Sequence, residues 1–316
     1  MGRMIGFVPT GKKRRARSQD GAEDRSLLSP IERRRPAIRV VYWLTFGLLI
    51  LLTLTTLIPM YWLFTSGLKT SLEIVRFPPT WVPSSPDWQN FSDTWTLLQF
   101  PQLLANTLIL VSGSWILQVL VSVTAAFSLS KLRPAFGNAV LALLLTTLLV
   151  PPVAYLVPQY LNIYDLPLIH ANISDNYLGV LLPEAVNAFN LFLLKSFFDE
   201  IPDEIVDAAR IDGAGAMGIL IRIVVPMSTA VLAVVTIFTV MASWKDFLWP
   251  YVVLQSDFAK QPLMVNLYIE WQSTSLGVGL NNLFAAFALA SVPPIVLFVV
   301  FQRQIIRGIA LTGLTG

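Results

Sequence analysis

Six apolar segments limit what this chain can fold into. They run over about 40–64, 104–129, 139–161, 178–198, 223–248 and 283–302. Each approaches or exceeds the roughly 20 residues that a helix rising about 1.5 Å per residue needs to cross about 30 Å of hydrocarbon. In lipid the backbone N–H and C=O groups have no water to bond, so runs of this length and polarity are predicted to be helices. The expected fold is an all-α polytopic membrane protein with six transmembrane helices. Charge supports this, because only 13% of residues are Asp, Glu, Lys or Arg, against about 25% in a typical soluble domain.

Composition removes several chemistries. With no cysteine and the single histidine His170, disulfides, Fe–S clusters, thiol catalysis and multi-His metal sites fall away. The string nearest to a phosphate cradle, Gly67-Leu68-Lys69-Thr70, lacks the Gly-x4-Gly-Lys spacing. ATP hydrolysis is therefore not expected in this chain, nor any other enzymatic activity. The spans show no set of carboxylates or histidines suited to a proton relay. They also show no clear internal repeat with charged midplane residues, as a secondary transporter would.

Basic residues orient the spans. Half of the chain's 22 lysines and arginines lie in residues 1–39, read as a disordered basic cytoplasmic tail with too few apolar residues to fold alone. The Lys12–Arg17 cluster fits a basic flank before a first span better than a nucleic-acid patch, so no nucleic-acid partner is expected. The apolar run that follows is too long for the core of a cleavable signal peptide. A cytoplasmic N-terminus places Lys131, Arg133, Lys195, Arg210, Arg222, Arg303 and Arg307 inside and only Lys69, Arg76 and Lys260 outside. Both termini are then cytoplasmic. The expected divisions are the tail, a first helix and outer loop over 40–100, a core over 101–305, and a cytoplasmic C-terminal tail over 306–316.

Between the fourth and fifth spans lies Glu200–Pro226, EIPDEIVDAARIDGAGAMGILIRIVVP. Pro202 suits a helix start, and Asp203 and Glu204 suit its positive end. Ile205, Ala208, Ala209 and Ile211 supply a small, apolar surface that another protein can approach closely, while Asp207, Arg210 and Asp212 give polar partners at its rim. Gly213 and Gly215 are expected to stop the helix with positive φ. A second short helix is predicted from Ala216 to Val225, with Pro226 marking the next span. The result is a semi-rigid, two-helix knob.

The spacing Asp207-Ala208-Ala209-x3-Gly213-x9-Ile223-x2-Pro226 resembles the Glu-Ala-Ala-x3-Gly-x9-Ile-x-Leu-Pro loop of the membrane subunits of binding-protein-dependent ABC importers. Asp stands here for the first Glu, and Val225 for the Leu. Trp244-Lys245-Asp246-Phe247-Leu248-Trp249-Pro250 is similar to the Trp-Asn-Asp/Glu-Phe-Leu-Trp-Pro stretch of carbohydrate permeases, with Lys245 in place of Asn. Asp87-Trp88-Gln89-Asn90-Phe91 resembles the loop before their transport core. Thr312-Gly313 and Gly316 fit their C-terminal motif, whose penultimate Lys is Thr315 here. The resemblance covers about 40–316 and points to the type I permease fold, close to the smaller permease of the maltose system.

That resemblance implies one half of a pore in the cell membrane for a sugar or oligosaccharide. It implies a second permease subunit, two ATPase subunits and an extracytoplasmic solute-binding protein, with no cofactor in this chain and ATP and Mg in the partner ATPases. Coupling to the ATPase is expected through Asp207, Ala208, Ala209, Arg210, Asp212, Gly213, Ile223 and Pro226. The possible substrate path comprises Asn187, Asn190, Trp244, Asp246 and Phe247. Asn187 and Asn190 share a face and can bond either a sugar or neighbouring helices. The rings of the 244–250 stretch can stack on sugar C–H faces or sit in an interfacial belt with Lys245 reaching the headgroups. Pro151-Pro152 and Pro158 predict a kink, whether as a gate or a bend. A non-sugar solute such as a polyol, glycerol phosphate or peptide is the alternative.

Overall fold

The computed structural model describes residues 36–255, 257–273 and 278–312. Most of the basic tail and Gly313–Gly316 of the C-terminal motif lie outside the described residues, as do the side chains of Arg303 and Arg307. No strand occurs among the described residues. The chain divides into two units, 1–58 and 59–316.

Helix α1 (Pro36–Ser66) falls in both units. From Val40 to Leu57 its side chains are exposed on every face. An apolar helix with no buried stripe needs lipid around it.

In the second unit the helices are α2 (Ser71–Ile74), α3 (Gln89–Leu97), α4 (Phe100–Phe127), α5 (Gly137–Thr147), α6 (Pro152–Tyr164), α7 (Tyr177–Glu184) and α8 (Ala188–Asp199). Then come α9 (Asp203–Ile211), α10 (Ala216–Ile219), α11 (Val225–Met227), α12 (Thr229–Lys245), α13 (Leu248–Val253), α14 (Leu263–Gln272) and α15 (Leu280–Thr312). A π turn at Ser128–Leu132 continues α4, and another at Leu220–Val224 joins α10 to α11.

Helix α4 is the central rod, packed against α3, α7, α8, α12 and α14. Its buried stripe includes Thr107, Leu110, Ser114, Gln118, Ser122 and Ala126, the three- and four-residue steps that share one helical face. Small side chains there let other helices approach closely. Leu194 and Phe198 of α8 and Val231 and Val235 of α12 close on Ala126, all fully or nearly fully buried.

Of the six predicted spans, only three are single long apolar helices, Ile38–Ser66, Phe100–Leu132 and Leu280–Gln302. The others are bent pairs. The segment expected as one crossing over 139–161 folds through 110° between α5 and α6. Pro152 keeps Pro151 out of the helical basin, at ψ 135°, and supplies no N–H to carry the ladder across. Pro158 stays inside α6. Helices α7 and α8 meet at 43°. The fifth span begins at Thr229 rather than near Ile223, because the chain turns 85° at Ser228. Ser228 is buried, and its hydroxyl bonds back to the Val224 carbonyl at 2.6 Å, a pattern that bends helices.

The loop between α1 and α3 is tied down by Asn90. Its amide donates to the Gly67 and Lys69 carbonyls, both at 3.0 Å, and its Oδ1 accepts from Asn281 at 2.7 Å. Lys69 is buried, bonded to the Thr80 carbonyl and 4.0 Å from the Trp62 ring centre. The Gly67–Thr70 string is thus a packed corner.

Candidate functional site

Two places gather functional side chains, the 200–226 loop and a cavity inside the helical bundle. In the loop, α9 starts after Pro202 with Asp203 and Glu204 in its first turn. Val206 is 1% exposed and enters the core beside Phe127, Leu194 and Phe198. Ile205, Asp207, Ala208, Ile211 and Asp212 face outward, and Ala209 is half-buried. Gly213 takes φ +84°, which costs L-residues steric strain. Gly215 does not share that geometry. It sits extended at φ −72°, ψ 164° as the N-cap of α10, because one left-handed residue already reverses the chain. Ile223 lies half-buried in the second π turn and Pro226 is exposed in α11.

Charges fasten this knob. Lys131 Nζ donates to the Ile201 carbonyl at 2.6 Å and to Asp203 Oδ1 at 2.8 Å. Arg133 donates to Asp203 Oδ2 at 2.8 Å. The Lys131 hydrogen bond and charge, followed by those of Arg133, hold the Asp203 carboxyl below the usual range. Arg210 pairs with Asp207 at 2.9 Å and reaches the Lys131 carbonyl at 3.3 Å.

The cavity measures about 510 Å³. Breaks in three helical runs meet on its wall: Pro152 opens α6, Val186 and Asn187 separate α7 from α8, and Asp246 and Phe247 separate α12 from α13. Gln118, Gln159, Glu184 and Lys245 add polar groups, and Tyr155 and Trp249 add rings. Discontinuous helices of this kind leave backbone groups free to line a polar cavity within a membrane. Ser114 donates to Glu184 Oε2 at 2.8 Å and Gln118 to the Glu184 carbonyl at 2.9 Å. The Glu184 and Asp246 carboxyl groups both sit on this wall, close enough to interact.

Among the residues expected on a substrate path, Asn187, Asp246 and Phe247 line this cavity. Asn190 and Trp244 do not. Asn190 is buried, with its amide spent on Gln118 Oε1 at 2.6 Å and Thr239 Oγ1 at 3.1 Å. Trp244 is buried in the core formed with Leu263, Leu267 and Ala286. Glu184 was missed, and with Asp246 it places two carboxyl groups on the cavity wall. Its signal was an acid directly after Pro183 within an apolar run, where a broken helix lets a polar side chain turn inward. Lys245 lines the cavity and also an aromatic groove of about 410 Å³ with Phe247, Tyr268 and Phe284.

A multi-pass helical membrane protein whose broken spans surround a polar cavity, and whose inter-span loop is a stiff knob, has the build of a transport subunit. Residues 118–311 match the family described as binding-protein-dependent transport system inner membrane component, and the chain belongs to it. It is 29% identical over 268 residues to the sn-glycerol-3-phosphate transport system permease protein UgpE of Yersinia pestis bv. Antiqua (strain Antiqua), covering 83% of this chain and 93% of that one. With the protein of the same name from Rhizobium meliloti (strain 1021) it shares 28% over 272 residues, 84% of this chain and 94% of the relative. The fold is similar to a chain of a bacterial ABC transporter involved in import of the acidic polysaccharide alginate, with TM-score 0.74, 22% identity, and 85% and 98% of the two chains covered. A second structure, of the alginate transporter with its pentasaccharide-bound periplasmic protein, aligns with TM-score 0.61 and 16% identity over 86% and 96%. The chain is thus a membrane permease subunit.

Proposed function

We propose that this chain forms half of the translocation pathway of an ATP-driven importer for a sugar or oligosaccharide. The cavity carries this reading. Amides of Gln159 and Asn187, the Glu184–Asp246 pair and the rings of Tyr155, Phe247 and Trp249 offer hydrogen-bonding groups and flat apolar faces, which suits a polyhydroxylated solute. A second reading, an anionic polyol phosphate, is favoured by Lys245 on the cavity wall and by the name of the glycerol-3-phosphate relatives.

Coupling runs through the 200–226 loop, which faces the cytoplasm with both termini on the same side. Ile211 and Met217, 86% and 61% exposed, together with Ile205 and Ala208, form an apolar surface for an ATPase, with Asp207, Arg210 and Asp212 at its rim. Closure of two ATPase subunits, where ATP and Mg bind, pushes the knob. The spans then rock between inward- and outward-facing states, and a solute-binding protein delivers its cargo to the opened cavity. A second permease completes the pore.

The test is to purify the tagged chain in mild detergent, identify what copurifies, and screen the accompanying solute receptor against neutral sugars and polyol phosphates by thermal shift. Asp207→Lys and Gly213→Pro are expected to insert normally while separating ATP hydrolysis from uptake. Normal uptake by both variants counts against the coupling role, and a receptor that responds to phosphate esters alone selects the second reading.

A further inference from the structure

The loop is joined by covalent bonds to α8 and α11, yet its densest polar attachment is to α4, which is not its neighbour in the chain. Lys131 hydrogen-bonds at both ends of α9. Its Nζ bonds Asp203 in the first turn and the Ile201 carbonyl just before it, and its own carbonyl accepts from Arg210 in the last turn. The Lys131 side chain is 1% exposed. A buried ammonium needs its full set of acceptors, and removing one partner leaves the other uncompensated. Arg133 adds a second bond to Asp203 from the same turn. Below this clamp Val206 is locked into the core that α4, α8 and α12 share.

Following α4 inward from Lys131, about 13 residues or roughly 20 Å of helix lead to Gln118, and one further turn leads to Ser114. These two side chains bond Glu184 on the cavity wall. Knob and cavity wall are thus joined along one continuous helical run, from the π turn at the C-terminal end of α4 to its middle. The other routes from the knob to Glu184 are bent, by 85° at Ser228 and by 43° where α8, which reaches the cavity at Asn187, meets α7. A bent joint absorbs displacement, whereas a packed straight helix transmits it.

We infer that α4 is the rod that carries displacement from the knob to the Glu184 wall of the cavity, and that Lys131 is the positioning residue that fixes α9 to its foot. This rests on the coupling role proposed above, and the experiment separates the two. The chain contains no cysteine, so labels can be placed at will. In the complex purified through this chain and held in nanodiscs, Lys131→Met is expected to speed hydrogen exchange of the 205–212 amides about tenfold, with the spans unchanged. Asp203→Asn gives a smaller rise, and the double variant exchanges within about twofold of Lys131→Met, because the pair acts as one unit. Spin labels at Ile211→Cys and Leu132→Cys keep one narrow distance in the nucleotide-free and MgATP–vanadate states, and broaden in Lys131→Met. Unchanged exchange in Lys131→Met, fully additive variants, or a label distance that shifts by more than about 5 Å between states overturns the inference. The exchange arm needs no nucleotide, so a preparation without an ATPase removes the coupling reading while the clamp is still decided on its own.

Discussion

The knob and the cavity are assembled in opposite ways. Residues 202–227 owe their shape mostly to near neighbours: a proline before α9, acids in its first turn, Gly213 at φ +84°, and a hydroxyl at Ser228 that turns the chain. The cavity has no such local author in the chain. Ser114 and Gln118 come from α4, Glu184 from the end of α7, and Asp246 from the end of α12. Each wall is held by packing elsewhere. The knob is therefore a part that tolerates change outside a few fixed points, whereas the cavity responds to substitutions well away from its lining.

The largest effect that tests this contrast is expected at Gly179, at the opposite end of α7 from Glu184. A Cβ there meets the Ile173 carbonyl oxygen, with Val253 and Ile163 side chains at 3.1 and 3.3 Å. The carbonyl belongs to backbone and cannot rotate aside, so α7 must shift. Gly179→Ala is expected to cost about 1–3 kcal/mol as overpacking, read as a lowered thermal midpoint of the complex, and to reduce uptake by displacing Glu184. A midpoint equal to that of the unaltered chain breaks the contrast, because the cavity then does not depend on remote packing.

Glycines of the knob sharpen it. Neither Gly213 nor Gly215 has any atom within 4 Å of a built Cβ, so space is equal and only conformation differs. Gly213→Ala is expected to cost about 1–2 kcal/mol through its left-handed backbone. Gly215→Ala, at an extended position that any residue adopts, should stay within about 0.5 kcal/mol. The comparison is made on one preparation by thermal unfolding, and equal costs at the two positions would show that the elbow's stiffness lies elsewhere.

The same contrast explains what was readable in the sequence. The spacing from Asp207 to Pro226 and the order of cap, elbow and second helix could be read because each feature depends on residues close along the chain. Gly215 was misread only because two adjacent candidates competed for one left-handed position. The break at Pro151-Pro152 was marked by proline, but its angle is set by the surface it packs on, and the break between α7 and α8 was not read. Asn190 was legible as polar and inward-facing. Its partners, Gln118 and Thr239, lie on two other helices, and no spacing along one span could name them. Glu184 and Asp246 meet for the same reason, through the packing of α4, α7 and α12.

The smallest expected effect lies at the attachment between the two regions. Asp203 is half-exposed, so solvent and salt screen its pairs with Lys131 and Arg133. Its carboxyl is held below the ordinary value of 3.8 by the Lys131 hydrogen bond first, with burial opposing and the remaining charge contacts assisting. A depressed folded-state pKa means that the attachment is fully present above about pH 4, where Asp203 is ionised in the folded and unfolded chain alike, and is lost as pH falls through the lower folded value. Exchange of the α9 amides, corrected for intrinsic rates, should therefore be flat from neutral pH down to about pH 4 and rise only below it, and Asp203→Asn should remove that rise. A rise that begins near neutral pH, or that survives Asp203→Asn, would assign the acid response to another group and leave the α4 foot held by Val206 packing rather than by charge.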